Sequence, residues 1–219
     1  MQSDIHRERL FRPVRIEALS DGVFAIVMTL LVLEIAVPTL ATPVEEGELR
    51  AELLELLPEF LGYAVSFVIL GIFWVVHHRQ FHFVERTDRA FVWINILTLL
   101  FVALLPFSTA LLSRFPESQT AVFVYGGNLL LAALAISAQW WYATLGHRLV
   151  NPDLDPTFLR KSRRWAFVAP AAIAVIIAIS FIHVAISLVG FAILAAFFIV
   201  SPGFDRLLGS LSANPPEPE

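Results

Sequence analysis

Long apolar stretches separated by short polar segments make up most of the 219-residue chain. A membrane-spanning helix needs about 20 mostly apolar residues. The stretch 165–200 contains no charged residue, but as one helix it would be about 54 Å long, far more than a bilayer core of about 30 Å. Its polar cluster SFIHV, residues 180–184, therefore predicts a tight turn between two short spans. The pattern predicts six spans, at about 16–37, 58–78, 90–112, 120–145, 165–181 and 184–200.

The amino-acid composition supports this prediction of membrane spans. The chain is 58% hydrophobic and only 16% charged, with a mean hydropathy of +0.75, whereas soluble domains carry about 25% charged residues. The excess apolar surface is therefore expected to face lipid. We predict an all-α integral membrane protein with one membrane domain, residues 1–204, and a disordered cytoplasmic tail, residues 205–219. The length of the first apolar run and its early aspartate argue against a cleaved signal peptide.

The basic residues predict the orientation of the chain. Of the 15 Lys and Arg residues, all except Arg50 and Arg114, hence 13, fall near the termini or in the segments 77–89 and 146–164. Six spans would place all of these segments on one side of the membrane. Because basic loops are retained on the cytoplasmic side, both termini are predicted to be cytoplasmic.

An aliphatic stripe and a polar patch lie on opposite faces of the predicted first span. At 100° per residue the stripe consists of Thr29 at one edge and Ile26, Leu30, Leu33 and Val37. Ser20 and Asp21 lie on the opposite face. Such a stripe on a single helix is typical of ordinary packing, so it does not by itself indicate a function.

The polar patch needs partners, because an unpaired carboxylate at membrane depth would cost several kcal/mol. Neighbouring spans offer candidates at a similar depth, namely Trp74, His77, His78 and Asn95. A hydrogen-bonded network of these residues with Ser20 and Asp21 would hold the first span against two others. We therefore predict that Asp21 orients the helix rather than contacting a substrate.

Other candidate chemistry is sparse. Glu34, near the outer end of the first span, either attracts cations at a mouth or reaches the headgroups, and both interpretations stay open. His77, His78 and His82 form HHxxxH, in which His78 and His82 could share a metal ion, but no further ligands converge in the sequence. No phosphate-binding loop or catalytic set is present, so we predict no metal, no cofactor and no enzymatic activity. The net charge of −4 argues against nucleic acid as a partner.

The first span also carries a recognisable motif. Residues 15–21 read R-x-x-x-L-S-D and resemble the R-x-x-x-F-S-D signature of the transmembrane protein 175 family of potassium channels. The W-x-x-H-H at 74–78, Asn95 and LPFSTALL at 105–112 resemble the prokaryotic branch of this family. Leu19, where phenylalanine is usual, is the one departure.

The resemblance implies a potassium-permeable, modestly selective cation channel. Four copies of the chain would surround a central pore lined by the first spans, in the bacterial cytoplasmic membrane, with K⁺ as the permeant ion and lipid as the surroundings. The narrowest ring would fall at Ile26, with further layers at Leu30 and Leu33 and the hydroxyl of Thr29 beside them. The residues that the resemblance assigns to the motif and to orienting the pore helix are Arg15, Leu19, Ser20, Asp21, Trp74, His77 and Asn95.

Three alternatives remain open from the sequence. A proton-linked secondary transporter could use Asp21 and the histidines, although no repeat relates spans 1–3 to spans 4–6 as transporters often show. A membrane enzyme could use the HHxxxH cluster, and a purely structural protein could use the polar patch only to join helices. Replacing Ile26 with asparagine should alter the flux of a channel and merely destabilise the others.

Overall fold

The protein is helical throughout the part of the chain that the structure describes. The structure, a computed structural model, describes residues 12–40 and 46–200. These ranges contain no β-strand, only one isolated β-bridge between Val84 and Val150. The predicted tail 205–219 lies outside them. The helices are α1 Pro13–Leu30, extended by a 3₁₀ turn Leu31–Glu34, α2 Glu46–Glu55, α3 Leu57–Phe83, α4 Arg89–Ala103, α5 Leu105–Arg114, α6 Gln119–Thr144, α7 Pro156–Ala166, α8 Val168–Ser180 and α9 Val184–Val200.

Five helical stretches of the described chain are long and apolar enough to cross a membrane. They are Pro13–Glu34, Leu57–Phe83, Arg89–Arg114, Gln119–His147 and Pro156–Ser180. The sixth apolar helix, Val184–Val200, has 17 residues. The predicted all-α membrane class is thus confirmed, and the turn predicted at 180–184 separates α8 from α9.

Helix α6 lies at the centre of the fold, where it packs against α4, α5, α7 and α8. Gly126 permits the close approach of α6 and α8. A Cβ at this position would lie 2.7 Å from Cγ1 of Ile177 and 3.1 Å from Cζ of Phe191. Small residues at such crossings let helix backbones approach in a lipid environment, where packing rather than hydrophobic burial drives association.

The helices break near a proline inside two of the predicted spans, the third and the fifth. The third span divides at Leu104, just before Pro106. Within the predicted fifth span 165–181, α7 ends and α8 begins around Phe167. Pro170 has no N–H to donate to the carbonyl four residues earlier. Ser137 Oγ on α6 lies 2.6 Å from that Ala166 carbonyl oxygen and 2.7 Å from the carbonyl oxygen of Ala133, so its one hydroxyl proton is shared between them.

The first span also ends earlier than predicted. The α-helix tightens into a 3₁₀ turn at Leu31 and ends at Glu34, and Ile35 is extended with φ −84° and ψ 109°. Val37 therefore lies beyond the helix and not on its stripe, so this prediction was wrong. Pro38 prevents the helix from continuing, since it has no N–H for the Glu34 carbonyl and it disfavours the helical region at Val37. Residues three apart eclipse in a 3₁₀ turn, so Leu33 stays on the face of Leu30.

Candidate functional site

Helix α1 is anchored to the body of the protein along one face. The buried residues of α1 and its 3₁₀ extension recur every three or four positions, the spacing of one helix face. They are Ile16, Ser20, Phe24, Val27 and Leu31. This face packs against α3 and α4.

Asn95 on α4 connects α1, α3 and α6 through buried hydrogen bonds. Its Oδ1 accepts from Nε2 of His77 at 2.7 Å and from Nε2 of Gln139 at 3.3 Å. Its Nδ2 donates to Ser20 Oγ at 3.0 Å, and Ser20 Oγ donates to the carbonyl of Ile16 at 2.9 Å. Because Asn95 Oδ1 can only accept, His77 carries its proton on Nε2. The predicted contacts of Ser20, His77 and Asn95 are therefore present.

Asp21 belongs to a second, more exposed set of contacts. Trp74 Nε1 on α3 donates to Asp21 Oδ1 at 2.9 Å, as the sequence predicted. His78 Nδ1 lies 3.0 Å from Oε1 of Glu17, and the rings of Trp74 and His78 stack with centroids 5.6 Å apart. The single network predicted from the sequence was wrong in this respect, because Ser20 and Asp21 project to different sides of α1. Two separate sets of bonds thus hold α1 to its neighbours.

The opposite face of α1 is uncovered, meaning that its side chains are exposed in the described part of the chain. Ile26 is 60% exposed, Leu30 41% and Leu33 72%. Thr29 is exposed beside them, and its Oγ1 donates to the Ile26 carbonyl at 2.7 Å. This bond uses the hydroxyl proton and leaves the lone pairs of Oγ1 directed away from the helix. The face therefore presents three aliphatic side chains and one oxygen acceptor.

Three predicted residues are not brought into the anchoring contacts. Arg15 and Leu19 are exposed, and the Arg15 side chain makes no hydrogen bond or ion pair within the described residues. At 100° per residue both lie within 20° of Ile26 on the helix wheel, so they continue the uncovered face towards the other end of α1. Glu34 is exposed at the end of the 3₁₀ turn, as predicted for an end of the span.

The possible metal ligands only partly match the HHxxxH spacing, because His78 is among them and His82 is not. His77 is buried and bonded to Asn95, whereas the ligand atoms of Glu17, Asp21 and His78 lie within 4.8 Å of one another. Bonds to His78 and Trp74 already engage one oxygen of each carboxylate. The sequence analysis missed Glu17, although its position four residues before Asp21 places it on the same face.

The fold and the site define a helical integral membrane protein whose first helix is anchored along one face and uncovered along the other. Residues 15–106 match the model of the family described as endosomal/lysosomal potassium channel TMEM175. A potassium channel of Streptomyces collinus is 36% identical over 197 residues, which cover 88% of this chain and 92% of that relative. The chain belongs to the TMEM175 family.

Further relatives match this chain over different lengths. The crystal structure of a lysosomal potassium-selective channel TMEM175 homolog from Chamaesiphon minutus superposes with a TM-score of 0.76 at 38% identity. The match covers 86% of this chain and 96% of that chain. The endosomal/lysosomal proton channel TMEM175 of Gallus gallus is 44% identical over 108 residues, 47% of this chain and 22% of its own length.

Proposed function

We propose that the protein is a potassium-permeable, modestly selective cation channel in which α1 of each subunit lines the central pore of a homotetramer. The observation that carries this proposal is the uncovered aliphatic face of α1, opposite a face bonded to α3 and α4. Helices of this fold that face lipid also expose aliphatic side chains, Ile193 on α9 among them. Helix α1 is in addition held by hydrogen bonds from Trp74 and Asn95, which would present the same side chains to the axis in every subunit. The names of the bacterial relatives and the superposition on a potassium-selective channel support the same proposal.

The proposed channel crosses the membrane six times with both termini in the cytoplasm. The 17 residues of Val184–Val200 carry no charge and give a helix of about 26 Å, near the thickness of a bilayer core. The fifth crossing combines α8 with the adjoining part of α7, because 13 residues alone reach only about 20 Å. The 13-to-2 distribution of basic residues supports the orientation.

The constriction of the proposed pore consists of rings of Ile26, Leu30 and Leu33. Aliphatic rings offer no oxygen ligands, so an ion passes partly hydrated, and such rings gate by dewetting. Potassium releases its water more readily than sodium, which favours potassium modestly. The Thr29 hydroxyl supplies an oxygen beside the rings, and Glu34 places a negative charge near the outer mouth.

The anchoring contacts set the rotation of the pore helix in this proposal. Bonds from Trp74 to Asp21 and from Asn95 to Ser20 hold α1 on two sides. A rotation of about 60°, less than one residue step of 100°, would turn Ile26 away from the axis. Arg15 and Leu19 lie on the pore-facing side, and the Arg15 guanidinium has no partner among the described residues.

The test is potassium and sodium flux through purified protein in liposomes, comparing wild type with Ile26→Asn. We expect Ile26→Asn to raise flux about tenfold, as a barrier lowered by about 1.4 kcal/mol would, and to reduce the preference for potassium. Ile193→Asn is the matched control, because Ile193 is 63% exposed on α9 and faces lipid in this proposal. It should leave the ion preference unchanged.

Two outcomes of this flux experiment would contradict the proposal. If folded wild type passes neither ion, or if both asparagine variants act alike, the uncovered face of α1 does not line a pore. The secondary transporter and structural protein would then become the better interpretations.

Proton permeation is a second candidate, because the Gallus gallus relative is called a proton channel. A pH-sensitive dye inside the same liposomes measures it directly. Proton flux that Ile26→Asn changes in parallel with potassium flux would place both ions in one pore.

A further inference from the structure

A basic cavity lies where α7 meets α6, away from the face of α1, and it is open to the surface because most of its lining residues are exposed. Its volume is about 460 Å³, and it is lined by Trp141, Arg160, Arg163, Arg164 and Phe167. None of the three arginines forms an ion pair with a carboxylate of the described residues. Three guanidinium groups around one cavity repel each other, so an anionic occupant would stabilise the arrangement.

The packing of α7 fixes the direction of these arginines. Leu159 is buried, and Trp140 Nε1 on α6 donates to Ser162 Oγ at 3.1 Å. These contacts hold one face of α7 against the protein. The side chains of Arg160 and Arg164 therefore project away from the packed face. Arg163 lies at the edge of that face, where its Nε donates to the Leu159 carbonyl at 3.3 Å and its Cζ lies 5.8 Å from the centroid of the Trp141 ring.

The cavity lies at the depth expected for lipid headgroups. Helix α7 carries four basic residues between 160 and 164, and the following stretch 165–200 carries no charge. The rings of Trp141 and Phe167 meet edge to face at 5.7 Å, and Trp165 is also partly exposed. Aromatic residues concentrate at the membrane interface, where basic cavities between helices bind anionic headgroups.

We propose that this cavity binds the phosphate group of an anionic phospholipid, with Arg160, Arg163 and Arg164 as donors and Trp141 and Phe167 contacting the first acyl carbons. Arginine suits this role because its planar fork bonds phosphate oxygens in pairs. The proposal goes beyond the channel function and does not depend on it. A lipid at this point would bridge α6, α7 and the start of α8.

The test is quenching of tryptophan fluorescence in liposomes by brominated phosphatidylglycerol or brominated phosphatidylcholine with the same acyl chains. Trp141→Phe identifies the part of the signal that comes from the cavity. We expect brominated phosphatidylglycerol to quench Trp141 preferentially. Arg163→Gln and Arg164→Gln should each weaken that preference about fivefold, the effect of one interfacial charge.

Lys161→Gln is the matched control, because it removes one charge from the same helix and Lys161 does not line the cavity. It should change the preference by less than about twofold. Equal quenching by both lipids, or an equal effect of Lys161→Gln, would overturn the proposal. Inorganic phosphate should not displace the lipid at equal concentration, and displacement would assign the cavity to free phosphate instead. Thermal unfolding confirms that each variant is folded.

Discussion

At the scale of single residues, the rotation of α1 depends on a few polar atoms. Asn95 satisfies donors from two other helices, so its loss would leave buried groups of His77 and Gln139 without partners. An unsatisfied buried group costs about 1–3 kcal/mol. The Asp21–Trp74 bond differs, because both residues are partly accessible and the bond contributes less to stability. It is the better site for changing the rotation of the helix without unfolding the protein.

Trp74→Phe should change the rotation of α1 with only a small loss of stability. Phenylalanine keeps the apolar contact but removes the indole N–H that Asp21 accepts, so we expect a loss of about 1 kcal/mol together with a reduced potassium preference. Thermal unfolding and liposome flux measure the two effects. Trp93→Phe is the control, because Trp93 is exposed on α4, and it should change neither quantity. An unchanged ion preference in Trp74→Phe would show that the bond does not orient α1.

At the scale of helices, the contacts of α6 determine how the outer helices pack. Two adjacent glycines occupy different environments. Gly126 faces Ile177 on α8, whereas a Cβ on Gly127 would meet no atom within 4 Å. Adjacent residues on a helix point in different directions, so at most one of the two glycines can face α8. The sequence alone does not say which of them does.

Gly126→Ala and Gly127→Ala should therefore have opposite effects. The new methyl of Gly126→Ala would force Ile177 or α8 to move, which costs about 1–3 kcal/mol. Gly127→Ala adds a residue of higher helix propensity in open space and should stabilise by up to about 1 kcal/mol. Thermal unfolding in detergent compares them. Equal changes would contradict the close approach of α6 and α8.

At the scale of the whole molecule, the uncovered face of α1 is the surface that the proposed tetramer must enclose. The chain contains no cysteine, so single cysteines can report which residues meet across the pore axis. A disulfide forms only when the Cα atoms are about 4.4–6.8 Å apart.

Ile26→Cys should yield disulfide-linked dimers of subunits under mild oxidation, since Ile26 forms the narrowest ring of the proposed pore. Val27→Cys, one residue away but only 3% exposed, is the control and should remain unlinked. Non-reducing gel electrophoresis of the membrane-embedded protein distinguishes the two. If Val27→Cys links as readily as Ile26→Cys, the rotation of α1 proposed here is wrong.

Much of this protein could be read from local pattern. Hydropathy predicts the apolar stretches and the turn at 180–184. The helical period and the cost of burying unpaired polar groups predict that Ser20, His77 and Asn95 face one another. The end of α1 at Glu34 and the break at Phe167 were harder to predict, because a proline does not specify at which preceding residue a helix ends.

Other features depend on which helices meet in space. The sequence places Ser20 and Asp21 side by side, but the fold directs one to the buried amide of Asn95 and the other to the indole of Trp74. The pairing of Glu17 with His78 likewise joins helices distant in the chain, and the cavity at Arg163 depends on how the successive helices α6 and α7 meet. The physical reason is that periodicity specifies the faces of a helix, whereas packing and hydrogen bonding between helices specify the partner of each face.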